Sequence, residues 1–277
     1  MTKQYRNEAE FLKDYDASQY EKLSLTTDIL VFSVAKGTMD NYRKLPDKHF
    51  SVLLVKRKTY PFKDRWCLPG GFLRVDEDIN EAPKRVLAKE TNLHNIYLEQ
   101  LYTFGAVNRD PRLRVINTAY LALIDKDRLQ EKLLSEAAWF TVRQVHSGSL
   151  ITTTLSNEQE CFSFTAQVID PTLGNEPVHF QIISDDHLAF DNAEVITVGI
   201  DRLRNKLKYT SIVFNMMPAD FTLKELQQVY EAILGKKLLD PAFRRMISEQ
   251  VVKTGKQKTG GGHRPSALYR YKKHELF

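Results

Sequence analysis

The stretch GGFLRVDEDINEAPKRVLAKETNL, residues 70–93, decides how the rest of the chain is read. Gly70 and Gly71 mark a tight turn, and the residues after it predict a helix over about 79–91. Pro83 falls near the third helical position, where its missing N–H has no partner to lose. Asp76, Asp78 and Glu81 gather at the helix start, where the dipole favours negative charge. Positions i, i+3 and i+4 of a helix share one face, and positions 86, 89 and 90 have that spacing. Three acids there would suit Mg²⁺, which takes oxygen ligands. The face instead reads Val86, Lys89 and Glu90. A lysine at that place repels a divalent metal, and it pairs with Glu90 or reaches for a phosphate itself. Arg85 stands within reach of Glu77.

Outward from this helix the chain is mostly β-prone. Residues 26–34 (TTDILVFSV) and 49–57 (HFSVLLVKR) read as strands, with 36–46 a loop between them. Residues 98–104 and 115–124 are the next strands, flanking the loop GAVNRDPR at 105–112, which Gly and Pro signal. A short helix is expected over 129–135 and a strand over 138–142. The Thr-rich, alternating stretch 146–183 reads as a β-hairpin insertion, and 191–213 as mostly helical. Residues 1–22 are polar with scattered aromatics and suggest a short helix docked on a neighbour. Many strands with few helices argue the α+β class, with a mixed sheet rather than a doubly wound one.

Beyond Met217 the texture changes. Thr222 with Glu225 three residues on is a capping box. Leu226, Val229, Tyr230 and Ile233 keep helical spacing, and Gly235 closes the helix. Asp240 as N-cap with Pro241 after it opens a second helix carrying Arg244 and Arg245. Residues 251–271 are two β-prone arms around a Gly- and Lys-rich tip. Helix, turn, helix and hairpin together make a winged helix-turn-helix. The second helix would enter a major groove, with Arg244 and Arg245 near base edges. Lys253, Lys256, Lys258, His263 and Arg264 of the hairpin, and Lys236 and Lys237 of the turn, would meet phosphates. A protein-docking helical appendage is the competing reading of this tail.

Composition agrees with two soluble units. The length of 277 residues favours more than one domain. No run of 18 apolar residues exists and the N-terminus lacks a signal-peptide core, so a cytoplasmic location without membrane contact is expected. Cys67 and Cys161 form no disulfide framework or metal pattern. From Asp201 onward there are 16 Lys and Arg against 7 Asp and Glu, a net +9. The whole chain carries +5, which leaves −4 for residues 1–200. A basic tail suggests a polyanionic partner.

Read together, these segments resemble a known family. Gly71, Glu77, Arg85, Leu87, Glu90 and Leu93 fit the Nudix box, the signature of hydrolases of nucleoside diphosphates linked to another group, and LPGGF (68–72) precedes it as that pattern expects. Val86, Lys89 and Asn92 depart from it, where active members carry Glu, Glu and Gly. With FGAVNRDPR (104–112), LAFDNAEV (188–195), RLRNKLKYTSI (202–212), residues 221–245 and RPSALYRY (264–271), the chain resembles the Nudix-related transcriptional regulators. The resemblance covers roughly residues 25–277 and divides the chain into a Nudix domain (25–200) and a connecting helix with a winged helix (201–277), after a helical extension (1–24); the insertion at 146–183 departs from the compact family pattern. It implies a homodimer on operator DNA, controlled by an ADP-ribose-like nucleotide or a sugar effector.

Candidate ligand residues are Arg65, Arg74, Arg109 and Arg112, whose guanidinium forks match phosphate oxygens. Phe104 or Trp66 could stack on a base or simply belong to the core. Two functions compete. One is a repressor whose degenerate Nudix domain binds its effector without cutting it and needs no cofactor. The other is a Mg²⁺-dependent Nudix pyrophosphohydrolase of ADP-ribose or a nucleotide sugar, with Glu90 and Glu77 as catalytic metal ligands. Losing two of three acids argues against turnover.

Overall fold

The apolar run after Ser24 is too continuous for a strand with one wet face, and it becomes the centre of the sheet. The computed structural model describes residues 6–37, 47–126, 132–169, 179–258 and 265–272. Strand β1 (Ser24–Lys36) pairs antiparallel with β2 (Lys48–Lys56) and parallel with β6 (Val115–Ile124). Also in the sheet are β5 (Tyr97–Phe104), β7 (Ala137–Ser147), β8 (Leu150–Ser156), β9 (Cys161–Ile169) and β10 (His179–Ser184). The order is β10-β9-β8-β7-β2-β1-β6-β5, with β3 (Trp66–Cys67) on β2 and β4 (Gly70–Phe72) on β1. The mixed sheet agrees with the α+β expectation.

Alternation along β1 builds two cores. Ile29 and Val31 face helix α2 (Ala82–Thr91) together with Val86, Leu87 and Leu93. Leu30, Phe32 and Val34 face the opposite layer, helix α3 (Asn192–Lys206), and that core runs on into the C-terminal helices. Each fully buried Leu, Ile or Phe contributes roughly 1.5–3 kcal/mol. At Gly199 of α3 a Cβ would lie 1.9 Å from Leu30 Cδ2, so only glycine lets this helix lie so close on β1.

Helix α2 starts three residues later than its sequence suggests. Asp78 accepts backbone N–H bonds from Glu81 and Ala82, so 78–81 form a turn, and Pro83 falls in the first helical turn. The helix ends on Asn92 in the left-handed conformation (φ 62°), donating to Ala88 O. Asparagine tolerates that conformation nearly as glycine does, so this departure from the box leaves the turn intact.

Residues 146–183 are a sheet extension rather than a separate hairpin. Strand β7 runs on to Ser147, and β8, β9 and β10 add three antiparallel strands. Ile151, Thr153 and Leu155 alternate with more exposed positions, as do Phe162, Phe164 and Ala166. Leu155, Phe162 and Phe164 join the α3-side core. A striped strand needs a covered face, and the α3-side core supplies it. Residues 170–178 lie outside the described residues.

Helix α3 stops at Lys206, and a 3₁₀ turn (Ile212–Met216) follows in place of a helix reaching 213. Helix α4 (Leu223–Leu234) carries the expected capping box at Thr222 and Glu225 and ends on Gly235 at φ 68°. Helix α5 (Asp240–Ile247) begins one residue earlier than predicted, with Leu239 as its N-cap. The Asp240 carboxylate is already occupied, accepting from Gln227 Nε2 at 2.9 Å and pairing with Lys224. Strands β11 (Val251–Lys258) and β12 (Ser266–Tyr271) form the wing, and Tyr269 bridges to Phe221. Helix α1 (Glu8–Asp14) forms near the expected place and buries no residue. The helix expected at 129–135 falls partly outside the described residues, and 132–135 are not helical. No described helix is long and apolar enough to cross a membrane.

Candidate functional site

The end of β2, the β3–β4 turn, the loop at 105–112 and the start of α3 enclose a cavity of about 390 Å³. Its cations are Lys56, Arg57, Lys58, Arg109 and Arg112. Phe72, which is 41% exposed, and Phe190 supply aromatic wall. Several cations already have partners. Lys56 meets Glu160 at 2.7 Å, Lys58 pairs with Glu136, and Arg57 Nε donates to Pro61 O at 2.8 Å. The Arg57 and Arg112 guanidinium groups flank the Phe190 ring at 4.8 and 5.8 Å from its centre. Cation–π contacts of this kind orient both partners.

Asp28 on β1 lines this cavity and anchors its polar network. Asn117 Nδ2 donates to it at 2.9 Å, and Arg109 Nη2 lies 3.6 Å away. A Cβ at Gly70 would sit 2.2 Å from its Oδ1, which explains the first glycine of the turn. Burial pushes the Asp28 carboxyl up to about 7, the Arg109 charge opposes that rise, and Asp191 adds to it. Arg109 itself is 8% exposed. Its Nε and Nη2 donate to the two carboxylate oxygens of Asp191 at 2.8 and 2.7 Å. Asp191 is the N-cap residue of α3, yet its side chain makes no cap bond. The residue before it, Phe190, has φ 55°. A bulky residue there carries strain of roughly 1–3 kcal/mol.

The sequence candidates divide sharply. Arg109 and Arg112 line the cavity, but Arg109 is committed to Asp191, and Arg112 to Asp110 at 2.8 Å. Arg65 points elsewhere, donating to Leu188 O at 3.3 Å beside the Phe62 ring. Arg74 is exposed and does not line the cavity. Phe104 is 4% exposed and packs edge-to-face on Tyr102, while Trp66 packs on Phe140 and donates Nε1–H to Glu160. Both aromatics are core, so neither offers a face to a ligand. Sequence reasoning missed Asp28, Lys56, Arg57, Lys58, Phe72 and Phe190. The basic residues Lys56, Arg57 and Lys58, at and just past the end of the 49–57 run, were the available signal.

The box residues explain why Mg²⁺ does not fit. Val86 is buried, its Cγ2 3.1 Å from where a Cβ on Gly71 would lie. Lys89 pairs with Glu90 at 3.3 Å. Glu77 is held by the Arg85 fork, whose hydrogen bonds pull its carboxyl down to about 2. Of the two box carboxylates, Glu77 and Glu90, only Glu90 lines the cavity. Among the described residues no three His, Cys, Asp or Glu converge as a metal site. On the α2 face a single carboxylate beside a lysine is a poor donor set for an octahedral cation, and the other acids of the cavity, Asp28, Asp110 and Glu136, lie beside Arg109, Arg112 and Lys58.

The second candidate surface is the winged helix. Arg244 and Arg245 are exposed on α5, with Lys253 exposed on β11. Lys237 pairs with Glu231 at 3.2 Å, and Lys256 lies 3.9 Å from Asp220. Lys258 donates to Glu225 at 2.6 Å, so this wing lysine braces the α4 capping box instead of standing free. His263 and Arg264 lie outside the described residues.

Comparison with known proteins identifies both domains. Residues 44–159 match the NUDIX domain and residues 213–271 the NrtR DNA-binding winged helix domain. The chain is 32% identical over 272 residues to the ADPR responsive transcriptional repressor NtrR of Acinetobacter baylyi, covering 96% of this chain and 89% of that protein. A MutT/nudix family protein from Enterococcus faecalis superposes with a TM-score of 0.72 at 28% identity, over 96% of this chain and 94% of that one. Shewanella oneidensis NrtR, crystallised with a 27mer DNA, superposes with a TM-score of 0.62 at 28% identity, over 90% and 93%. With both domains matched in this order and the likeness running nearly end to end, the chain belongs to the NrtR family of Nudix-related transcriptional regulators.

Proposed function

We propose that this chain is a transcriptional repressor that binds operator DNA through α5 and the wing, and whose Nudix cavity binds an ADP-ribose-like nucleotide without hydrolysing it. One observation carries the reading: the α2 face beside an open, cation-lined cavity presents buried Val86 and a Lys89–Glu90 pair where metal-binding acids would stand. The cavity keeps what recognition needs, cations and aromatic wall, and lacks what metal-assisted cleavage needs. The basic rim favours a phosphate-bearing effector over a neutral sugar. The nearly full-length relative in Acinetobacter baylyi, named as ADPR responsive, supports the same ligand class.

Arg112, Arg57 and Lys56 are the residues assigned to the effector's phosphates, with Phe72 or Phe190 against its rings. Arg244 and Arg245 are assigned to base edges, and Lys253 to the backbone. Helix-turn-helix proteins bind two half-sites as dimers, so a homodimer in the cytoplasm completes the proposal. The test is an electrophoretic shift with promoter DNA while ADP-ribose is titrated, run beside an assay for AMP release at millimolar Mg²⁺. A shift that responds to ADP-ribose, with no AMP formed, supports the proposal. Steady AMP release would establish the competing pyrophosphohydrolase.

A further inference from the structure

The N-terminus of α3 is in a state that sequence preference disfavours. Asp191 occupies the N-cap, a place where Asp accepts from a backbone N–H of the first turn. Here its backbone (φ −97°, ψ 21°) is not extended and no side-chain cap bond forms. Both oxygens are taken by Arg109, which reaches across from the cavity wall. The preceding residue, Phe190, is held in the left-handed region, its ring flanked by Arg57 and Arg112 of the same cavity. The carboxylate therefore has two alternative partners, one in the cavity and one in the helix.

The far end of α3 is pinned to the DNA-binding unit. Arg204 Nε donates to Ile233 O, in the last turn of α4, at 2.8 Å, and its Nη1 to Gln144 of β7 at 2.6 Å. Lys206 adds a bond to Glu99 of β5 at 2.5 Å. One helix thus runs from the cavity to the winged helix with polar anchors at both ends.

We infer that the Arg109–Asp191 pair is an effector-responsive latch, in which a phosphate of the bound nucleotide takes the Arg109 fork and the freed Asp191 turns to cap α3. This inference rests on the reading of the chain as an ADP-ribose-responsive repressor, and it names how that site would be coupled to DNA. Both positions of the latch satisfy their polar groups: phosphate replaces carboxylate on the guanidinium, and the α3 amides replace the guanidinium on the carboxylate. Relaxation at Phe190 accompanies the exchange. Such a bistable element lets a small ligand bias a distant surface.

Asp191→Asn tests it in the full-length chain, because Asn caps a helix as well as Asp but cannot hold Arg109 as an ion pair. The variant is expected to bind ADP-ribose roughly tenfold more tightly than the natural chain. Its ligand-free DNA affinity is expected to match that of the natural chain saturated with ADP-ribose, and adding ADP-ribose should change it little. Unchanged affinities for both ligands, or a loss of both, would overturn the latch. Should the variant fail to fold, hydrogen exchange on the natural chain decides: ADP-ribose is expected to slow exchange at Ala193 and Glu194, and unaltered exchange there refutes the switch. If the natural chain binds neither ADP-ribose nor DNA, the functional reading itself fails and the latch falls with it. If it binds both and responds normally while Asp191→Asn behaves identically, only the latch fails.

Discussion

Arg85 grips Glu77 with two hydrogen bonds, Nε to Oε1 at 2.5 Å and Nη2 to Oε2 at 2.6 Å, and its Nη2 also reaches Phe72 O at 3.1 Å. The pair ties α2 to the turn before it, so it is a folding device that survives where the metal ligands do not. Its carboxyl is held down to about 2 from an ordinary 4.5. A depressed carboxyl stabilises the fold above its ordinary value, and that contribution disappears as the pH falls through the window down to about 2. Glu77→Gln should lower the melting temperature at neutral pH and flatten its decline between pH 4.5 and 2, which calorimetry across that range would reveal.

Asp28 works in the opposite sense. Burial raises its carboxyl to about 7, so folding takes up a proton between the ordinary 3.8 and that value, and stability declines as pH rises across the window. Asp28→Asn should remove this slope. Since Asp28 lines the cavity with Arg109 and Asp191 beside it, an anionic effector should bind more tightly as the pH falls through about 7, by at most about tenfold per unit for one proton. Calorimetry of ADP-ribose binding in buffers of different ionisation heat would register the proton uptake; identical heats would refute it.

Restoring the acids on α2 tests the missing cage. Val86→Glu with Lys89→Glu puts three carboxylates on one face. Val86 is 2% exposed beneath Gly71, so a glutamate there should destabilise by on the order of 3 kcal/mol without a cation. Millimolar Mg²⁺ should recover much of that loss in the double variant and leave the natural chain's melting temperature unmoved. A thermal shift series reads both.

On the winged helix, Arg245 and Lys253 should separate specificity from affinity. Arg245→Ala is expected to cost about 1–3 kcal/mol on the operator and little on unrelated DNA. Lys253→Ala should weaken both sequences alike and lower the slope of log K against log salt by about one. Anisotropy titrations at several salt concentrations distinguish the two patterns.

Thr222 accepts from Glu225 N at 3.2 Å, while Glu225 accepts from Thr222 N at 2.8 Å and from Lys258 of the wing. Thr222→Ala should cost about 1 kcal/mol and speed hydrogen exchange in the first turn of α4, whereas Thr222→Ser should not.

Much of this architecture was legible because it rests on local signals. The capping box at Thr222, the closing Gly235, the hairpin arms of the wing and the α2 face at 86, 89 and 90 are all short-range patterns. The site was legible only in part. Arg109 and Arg112 were found as cations near a loop, but their partners Asp191 and Asp110 are set by tertiary contact, as is the burial that removes Phe104 and Trp66 from the cavity. Asp28 sits inside an apolar run and gives no sequence signal of its own; it becomes notable only when Gly70, Asn117 and Arg109 converge on it. The stripes of β8 and β9 showed which residues are apolar but not that these strands continue the main sheet, with their apolar face in the α3-side core.

Gly199 sets the kind of motion that α3 can transmit. A hydrogen atom is all that separates its backbone from the fully buried side chain of Leu30. Sliding along its axis would drive Ile196 or Leu203, which share its face, into that contact. Tilting about it would not. If the proposed latch acts through α3, its displacement is expected to be a tilt with the glycine as fulcrum, so that a small shift at Asp191 reappears in the opposite direction at Arg204.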